Sequence, residues 1–324
     1  MTDTWTWATV TQASPLRIKV DGDTTPLNAT TDNLVGSLAV DDRVRVHLHA
    51  DGIIVTGIQG GGNRSNPNLL INSNFMVNQE GWVSGTTVPS GGYFLDQWRN
   101  VSGLDTSYLT WVDAAGVRTL TIGTVAGGND RAIQEKVEQR NITPGVYTLS
   151  FPAGPLGRVY NYGSTPPTFA ASPVTVTLDG LSDVAVDLYG VGAELSWVKL
   201  ERGPIATPYQ QPNYDDDLRR CMRYYQRFAG NGRFGSGMTR STTDSRFVVP
   251  MLAPMRTLTP TLTYSADMRA FDGTTAVTLT SLSWVTGSQN IMYLSAVNPT
   301  LAANRSAELL AGSASSFITF DARL

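Results

Sequence analysis

Two histidines alternate with apolar residues in the run Arg43-Val44-Arg45-Val46-His47-Leu48-His49. Two imidazoles on one strand face are a possible beginning of a metal site. No other ligands complete the set, so alternation gives the simpler reading of two solvated strand residues. The single thiol, Cys221, rules out an internal disulfide framework. Side chains that could stack on sugar rings are more numerous. Trp82, Trp98, Trp284 and Tyr293 are taken as candidate ligand-binding residues, with Tyr93, Trp111 and Trp197 nearby in sequence. Most aspartates, 21 in all, sit in turn contexts such as DGD, DDR and ADG, where capping explains them. A carboxylate pair for glycoside hydrolysis is defined by separation in space, which linear spacing does not give. GxSxG, HExxH, a Walker loop and a dinucleotide fingerprint are all absent from the sequence, and Gly60-Gly61-Gly62 falls in a linker. The expectation is a protein without catalytic, metal or cofactor residues.

Composition narrows the class further. Charged residues are only 16% of the chain and the net charge is -3, so a phosphate-binding basic face is not expected and nucleic acid is not a partner. No apolar run approaches a membrane span, and the opening MTDTWTWATV has no signal-peptide pattern. These features suit a protein made in a host cytoplasm and released by lysis, as virion components are.

The elements that must position the candidate residues are strands. Residues 1–58 alternate apolar and polar positions and turn at Asp21-Gly22 and Asp51-Gly52, as a small β-unit would. Residues 59–68 are a Gly/Asn/Pro linker. Residues 69–203 carry strand-and-turn spacing that suggests a jelly-roll sandwich. Residues 204–228 hold a Pro-rich connector and then one helix, expected over about Asp215 to Phe228. Leu218, Met222 and Tyr225, with Cys221 beside them, form its apolar stripe. Residues 229–324 return to strands. An isolated helix between β-domains predicts a three-helix junction, with Leu218, Cys221, Met222 and Tyr225 at a trimer interface.

Three segments resemble bacteriophage tail fibre proteins. NLLINSNFMVNQEGW (68–82) with YFLDQWRN (93–100) is similar to the opening of jelly-roll fibre modules akin to carbohydrate-binding modules. WVKLERGPIATPYQQPNYDDDLRRCMRYYQRF (197–228) resembles a domain end with Leu-Glu-x-Gly, Ala-Thr-Pro-Tyr and a Cys-x-Arg-Tyr-Tyr helix. FITFDARL resembles the last strand of a receptor-binding head. The first 58 residues look like the small OB-like barrel of tail proteins from phages of actinobacteria. The resemblance implies a non-catalytic receptor-binding tail fibre: a homotrimer at the virion tail tip that docks on phage tail or baseplate proteins through its N-terminal barrel. A C-terminal β-sandwich head would meet a host surface polysaccharide, without membrane insertion. It also implies a possible structural calcium, for which the sequence assigns no ligands. The rival expectations are a tailspike-type glycan depolymerase, which would need repeated β-helix rungs that the sequence does not show, and a bacterial carbohydrate-binding adhesin.

Overall fold

The computed structural model describes residues 4–13, 15–27, 31–33, 43–49, 52–58, 66–101, 107–123, 132–190, 192–297 and 300–324. Those residues form twenty-seven strands and one α-helix, so the chain is mostly β as expected. Two compact units emerge: residues 1–67 with 207–210, and residues 68–206 with 211–324.

In the first unit, β1 (Thr4–Ala13), β2 (Leu16–Val20), β3 (Thr31–Asn33), β4 (Arg43–His49) and β5 (Gly52–Ile58) lie in the order β2-β1-β4-β5-β3. Only the β3–β5 pair is parallel among these strands. That is the strand order of a partly open OB-type barrel. The long alternating run before Asp21 is a hairpin in itself. It folds back around Pro15, pairing Ala13 with Leu16, because proline has no N–H to give a ladder. A turn does follow at Gly22, with φ 95°. The second hairpin pairs His49 with Gly52; Asp51, between them, lies outside the described residues. Val44, Val46, Ile53 and Val55 face a small core with Ala8, Val10, Ile18 and Val20. His47 faces away from that core and stacks on Trp5, with ring centroids 4.4 Å apart.

The second unit holds two hydrophobic cores. The first gathers Leu70, Phe75, Trp98, Leu109, Leu120, Val186 and Leu200 between antiparallel sheets. One sheet has five strands, ordered Leu156–Asn161, Val184–Tyr189, Ala132–Val137, Trp98–Asn100 and Tyr93–Phe94. Four- and three-stranded sheets complete the sandwich. The second core, around Phe247, Met292, Leu294, Leu309 and Phe320, lies under a seven-stranded and a three-stranded sheet.

The segment 69–82, which resembles the opening of jelly-roll fibre modules, is here a run of bends and turns with no strand. Asn72 (φ 52°) and Phe75 (φ 62°) take left-handed backbone. Asn72 makes this possible by bonding locally, as asparagine can. Its Oδ1 accepts from Val77 N–H at 2.8 Å and its Nδ2 donates to Val77 O at 2.8 Å.

The helix is shorter than its apolar stripe suggests: it spans Tyr214–Met222, and Tyr225–Ala229 is a strand. Asn213 caps the start, its Oδ1 accepting from Asp215 N–H at 2.9 Å, and three aspartates fill the first turn. Its C-terminal end is set by long-range pairing. Tyr225–Ala229 finds a full antiparallel partner in Phe317–Asp321, and a ladder of five register pairs outweighs one more helical turn.

One glycine in the seven-stranded sheet is required by close approach. A Cβ on Gly237 would lie 1.7 Å from the carbonyl oxygen of Arg246, and Gly237 pairs with both Phe247 and Ala307. Gly237→Ala is therefore expected to cost about 1–3 kcal/mol by forcing those strands apart, read as a lower denaturant midpoint. An unchanged midpoint would mean that the strands yield freely at this point.

Candidate functional site

A cleft of about 480 Å³ lies within the second unit between the loop Glu80–Thr86 and a three-stranded sheet. Each wall has a local explanation. The loop wall is built by a tight turn at Asn78-Gln79-Glu80-Gly81, where Gly81 supplies φ 75°. Asn78 clamps the backbone of Trp82 from both sides, accepting from its N–H at 2.9 Å and donating to its carbonyl at 2.8 Å. The indole packs on the first core and its Nε1–H donates to Glu80 Oε2 at 2.7 Å. Trp82 is thus half-buried, with its ring edge set by two independent restraints.

The opposite wall comes from three strands, Tyr225–Ala229, Phe317–Asp321 and Thr261–Tyr264, with the last strand central. Strand alternation puts Tyr225 and Arg227, Phe317, Thr319 and Asp321, and Thr261 and Thr263 on the cleft side. Register fixes their neighbours: Tyr225 and Thr261 both face Asp321, and Arg227 and Thr263 both face Thr319.

Arg323 joins the two walls. Its guanidinium lies 2.5 Å from Glu80 and 2.6 Å from Asp321, and a third bond runs to Asp96 O at 3.0 Å. The same group sits over the Tyr93 ring at 4.1 Å and the Tyr225 ring at 4.4 Å. Burial pushes the Tyr225 phenol up to about 12, so it stays protonated in neutral solution. Gln79 adds a direct tie, its Nε2–H donating to Tyr225 O at 2.9 Å. Arg227 is placed differently. It donates to Glu80 O at 3.2 Å and covers the Phe317 ring at 4.7 Å, and it has no carboxylate partner among the described residues.

The cleft therefore combines partly exposed ring surface (Trp82, Phe317), hydroxyls (Thr261, Thr263) and one cation without a carboxylate partner among the described residues. Its two carboxylates share a single guanidinium. Such a surface suits recognition of a polyhydroxylated ligand, with apolar faces against rings and hydroxyls against fixed donors and acceptors.

The sequence-derived candidates divide. Trp82 lines the cleft. Trp98 does not: it is fully buried, donates Nε1–H to Asn72 O at 3.0 Å and packs on Phe75, so it is a core residue. Trp284 and Tyr293 belong to the seven-stranded sheet, away from the cleft. Trp284 is opposite Leu294 in register and packs toward the second core, whereas Tyr293 is on the alternate face of its strand. The two rings cannot form one platform.

The stripe residues divide too. Cys221 and Tyr225 are buried within a single chain, so neither is available to a trimer contact. Cys221 lies on the buried face of the helix with Asp217, and Tyr225 lies in the strand that pairs with Phe317–Asp321. Burial also pushes the Cys221 thiol well up, which makes it unreactive. Leu218 and Met222 remain half-buried. No cluster of three or more metal-ligating side chains occurs among the described residues.

No protein-family model matches this chain, and no curated protein matches it.

Sequence reasoning missed Arg227, Thr263, Asp321 and Arg323. FITFDARL was recognisable as a strand, but nothing local shows that Arg323 would reach Glu80.

Proposed function

We propose that this protein is a non-catalytic adhesion subunit, of the kind found in phage tail fibres, that binds a surface glycan in the cleft between Trp82 and the C-terminal sheet. The observation that carries the reading is the cleft itself: the Trp82 and Phe317 rings, threonine hydroxyls and Arg227, which has no carboxylate partner among the described residues, on walls fixed by the Glu80–Arg323–Asp321 ion pairs. Both cleft carboxylates are engaged by the Arg323 guanidinium, which fixes their oxygens as acceptors for ligand hydroxyls. The proposed assembly is a homotrimer on a virion tail, attached by the N-terminal barrel, with three weak sites raising avidity. Leu218 and Met222 are what the helix still offers to such contacts.

Two substitutions test the site. Thr263→Trp places a bulky ring in the cleft from an exposed position and is expected to abolish retention on bacterial surface polysaccharides without changing the melting temperature. Trp82→Ala is expected to weaken binding by about tenfold, equivalent to about 1.4 kcal/mol. Retention undiminished in Thr263→Trp would remove the cleft from the function. Release of reducing ends from the same polysaccharides would make the protein a hydrolase instead. Light scattering should give a solution mass near three times 34.9 kDa; a monomer would remove the fibre assembly.

A further inference from the structure

A second cavity, of about 330 Å³, lies in the same unit among the segment Asn68–Ile71, the short turn Gln139–Asn141 and the end of the helix. Arg140, Arg220 and Arg223 line it. Their charge is poorly offset. Glu138 is shared by three guanidiniums, with Arg140 at 2.6 Å, Arg223 at 3.4 Å and Arg256 at 4.0 Å. Arg220 reaches Asp217 at 3.5 Å and Asn68 O at 3.5 Å, both at the outer limit of a useful bond. Four cations thus face two carboxylates. Glu135, also within electrostatic reach of Arg220, contributes little, because burial pushes it well above the ordinary carboxyl range. Burial raises Asp217 as well, which weakens its share further. Finally, Arg223 Nε is buried with no hydrogen-bond partner, an omission that native structures rarely leave uncompensated.

We infer that this cavity binds an oxyanion, the carboxylate or phosphate group of a small molecule or acidic glycan. Guanidinium groups match pairs of such oxygens with parallel N–H donors. Arg140 and Arg220 supply reachable donors, their side chains being 57% and 42% exposed. The Tyr224 phenol on the wall stays protonated, pushed up to about 12 by burial. An anion here would neutralise the excess cations where the helix meets the sandwich.

The full chain is titrated with inorganic phosphate, with glucuronate and, as a neutral control, with methyl glucoside, following amide chemical shifts and melting temperature. At least one anion is expected to bind and raise the melting temperature by mass action, while the neutral sugar does neither at this site. Arg140→Gln with Arg220→Gln should weaken the anion at least tenfold, and added salt should weaken it in the wild type. Glu138→Gln removes the competing carboxylate and should tighten it. Tighter phosphate points to a phosphate-bearing ligand, tighter glucuronate to a uronate. Thr263→Trp should leave anion binding intact, which separates this site from the cleft. Equal affinity in the wild type and the double variant, looser binding in Glu138→Gln, or no binding of either anion would overturn the inference.

Discussion

Trp98→Ala is expected to lower the stability of the second unit by about 3–5 kcal/mol, the range for removing a fully buried large ring. The side chain has no exposed surface, its ring centroid lies 5.1 Å from that of Phe75, and its indole N–H is bonded to Asn72 O. Two losses add. A cavity opens in the first core, and the Asn72 carbonyl loses one of its two donors, keeping only the Phe75 N–H at 2.9 Å. The damage should spread, because Asn72 also donates to Leu95 O. Denaturant unfolding should show the midpoint falling sharply; Trp98→Phe, which restores most volume but not the N–H, should recover part of it. A Trp98→Ala protein of unchanged stability that no longer retained polysaccharide would reverse the assignment and make the ring a binding platform.

The second large effect concerns pH. Asp96 is buried with left-handed backbone, φ 60°. Its oxygens receive only long bonds from Gln79, 3.4 Å from the amide nitrogen and 3.3 Å from Nε2. Burial dominates, and its carboxyl is pushed from 3.8 up to about 7, despite the opposing pull of Gln79 and Arg323. Between those values the folded protein holds a proton that the unfolded chain has released, so stability falls as pH rises. The contribution is complete below about pH 4 and lost by about pH 7 and above. A shift of about three units corresponds to about 4 kcal/mol. Glu135 and Asp217, both raised by burial, act in the same direction. Asp96→Asn should flatten the pH dependence and make the protein more stable than wild type at pH 8, since asparagine tolerates the same backbone conformation. A wild-type protein whose melting temperature rises steadily from pH 4 to pH 8 would show that Asp96 is solvated in the folded state.

Both predictions bear on the segments that carry the tail fibre resemblance. Asn78 clamps Trp82, Gln79 ties Asp96 to Tyr225, and Trp98 fills the core. In this chain Asn78, Gln79, Asp96 and Trp98 therefore form a staple joining the sandwich to the C-terminal sheet. In the proposed glycan site, the ligand-facing residues are Trp82 and side chains outside these segments.

Local pattern alone was sufficient for the mostly β character, since alternation and turn residues act over a few positions. It also placed Val44 and Val46 inward and His47 outward on β4, and it put the start of the helix near Asp215, one residue from where it begins. Tertiary structure decided the rest. The helix ends at Met222 because Tyr225–Ala229 is claimed by a strand about ninety positions away in sequence, a contact no local window contains. Cys221 and Tyr225 became interior for the same reason. The cleft exists because Arg323 reaches Glu80 across the chain, and whether a tryptophan is a platform or a core residue depends on what covers it. Periodicity reports which face a side chain takes; only the packing of distant segments reports whether that face meets water.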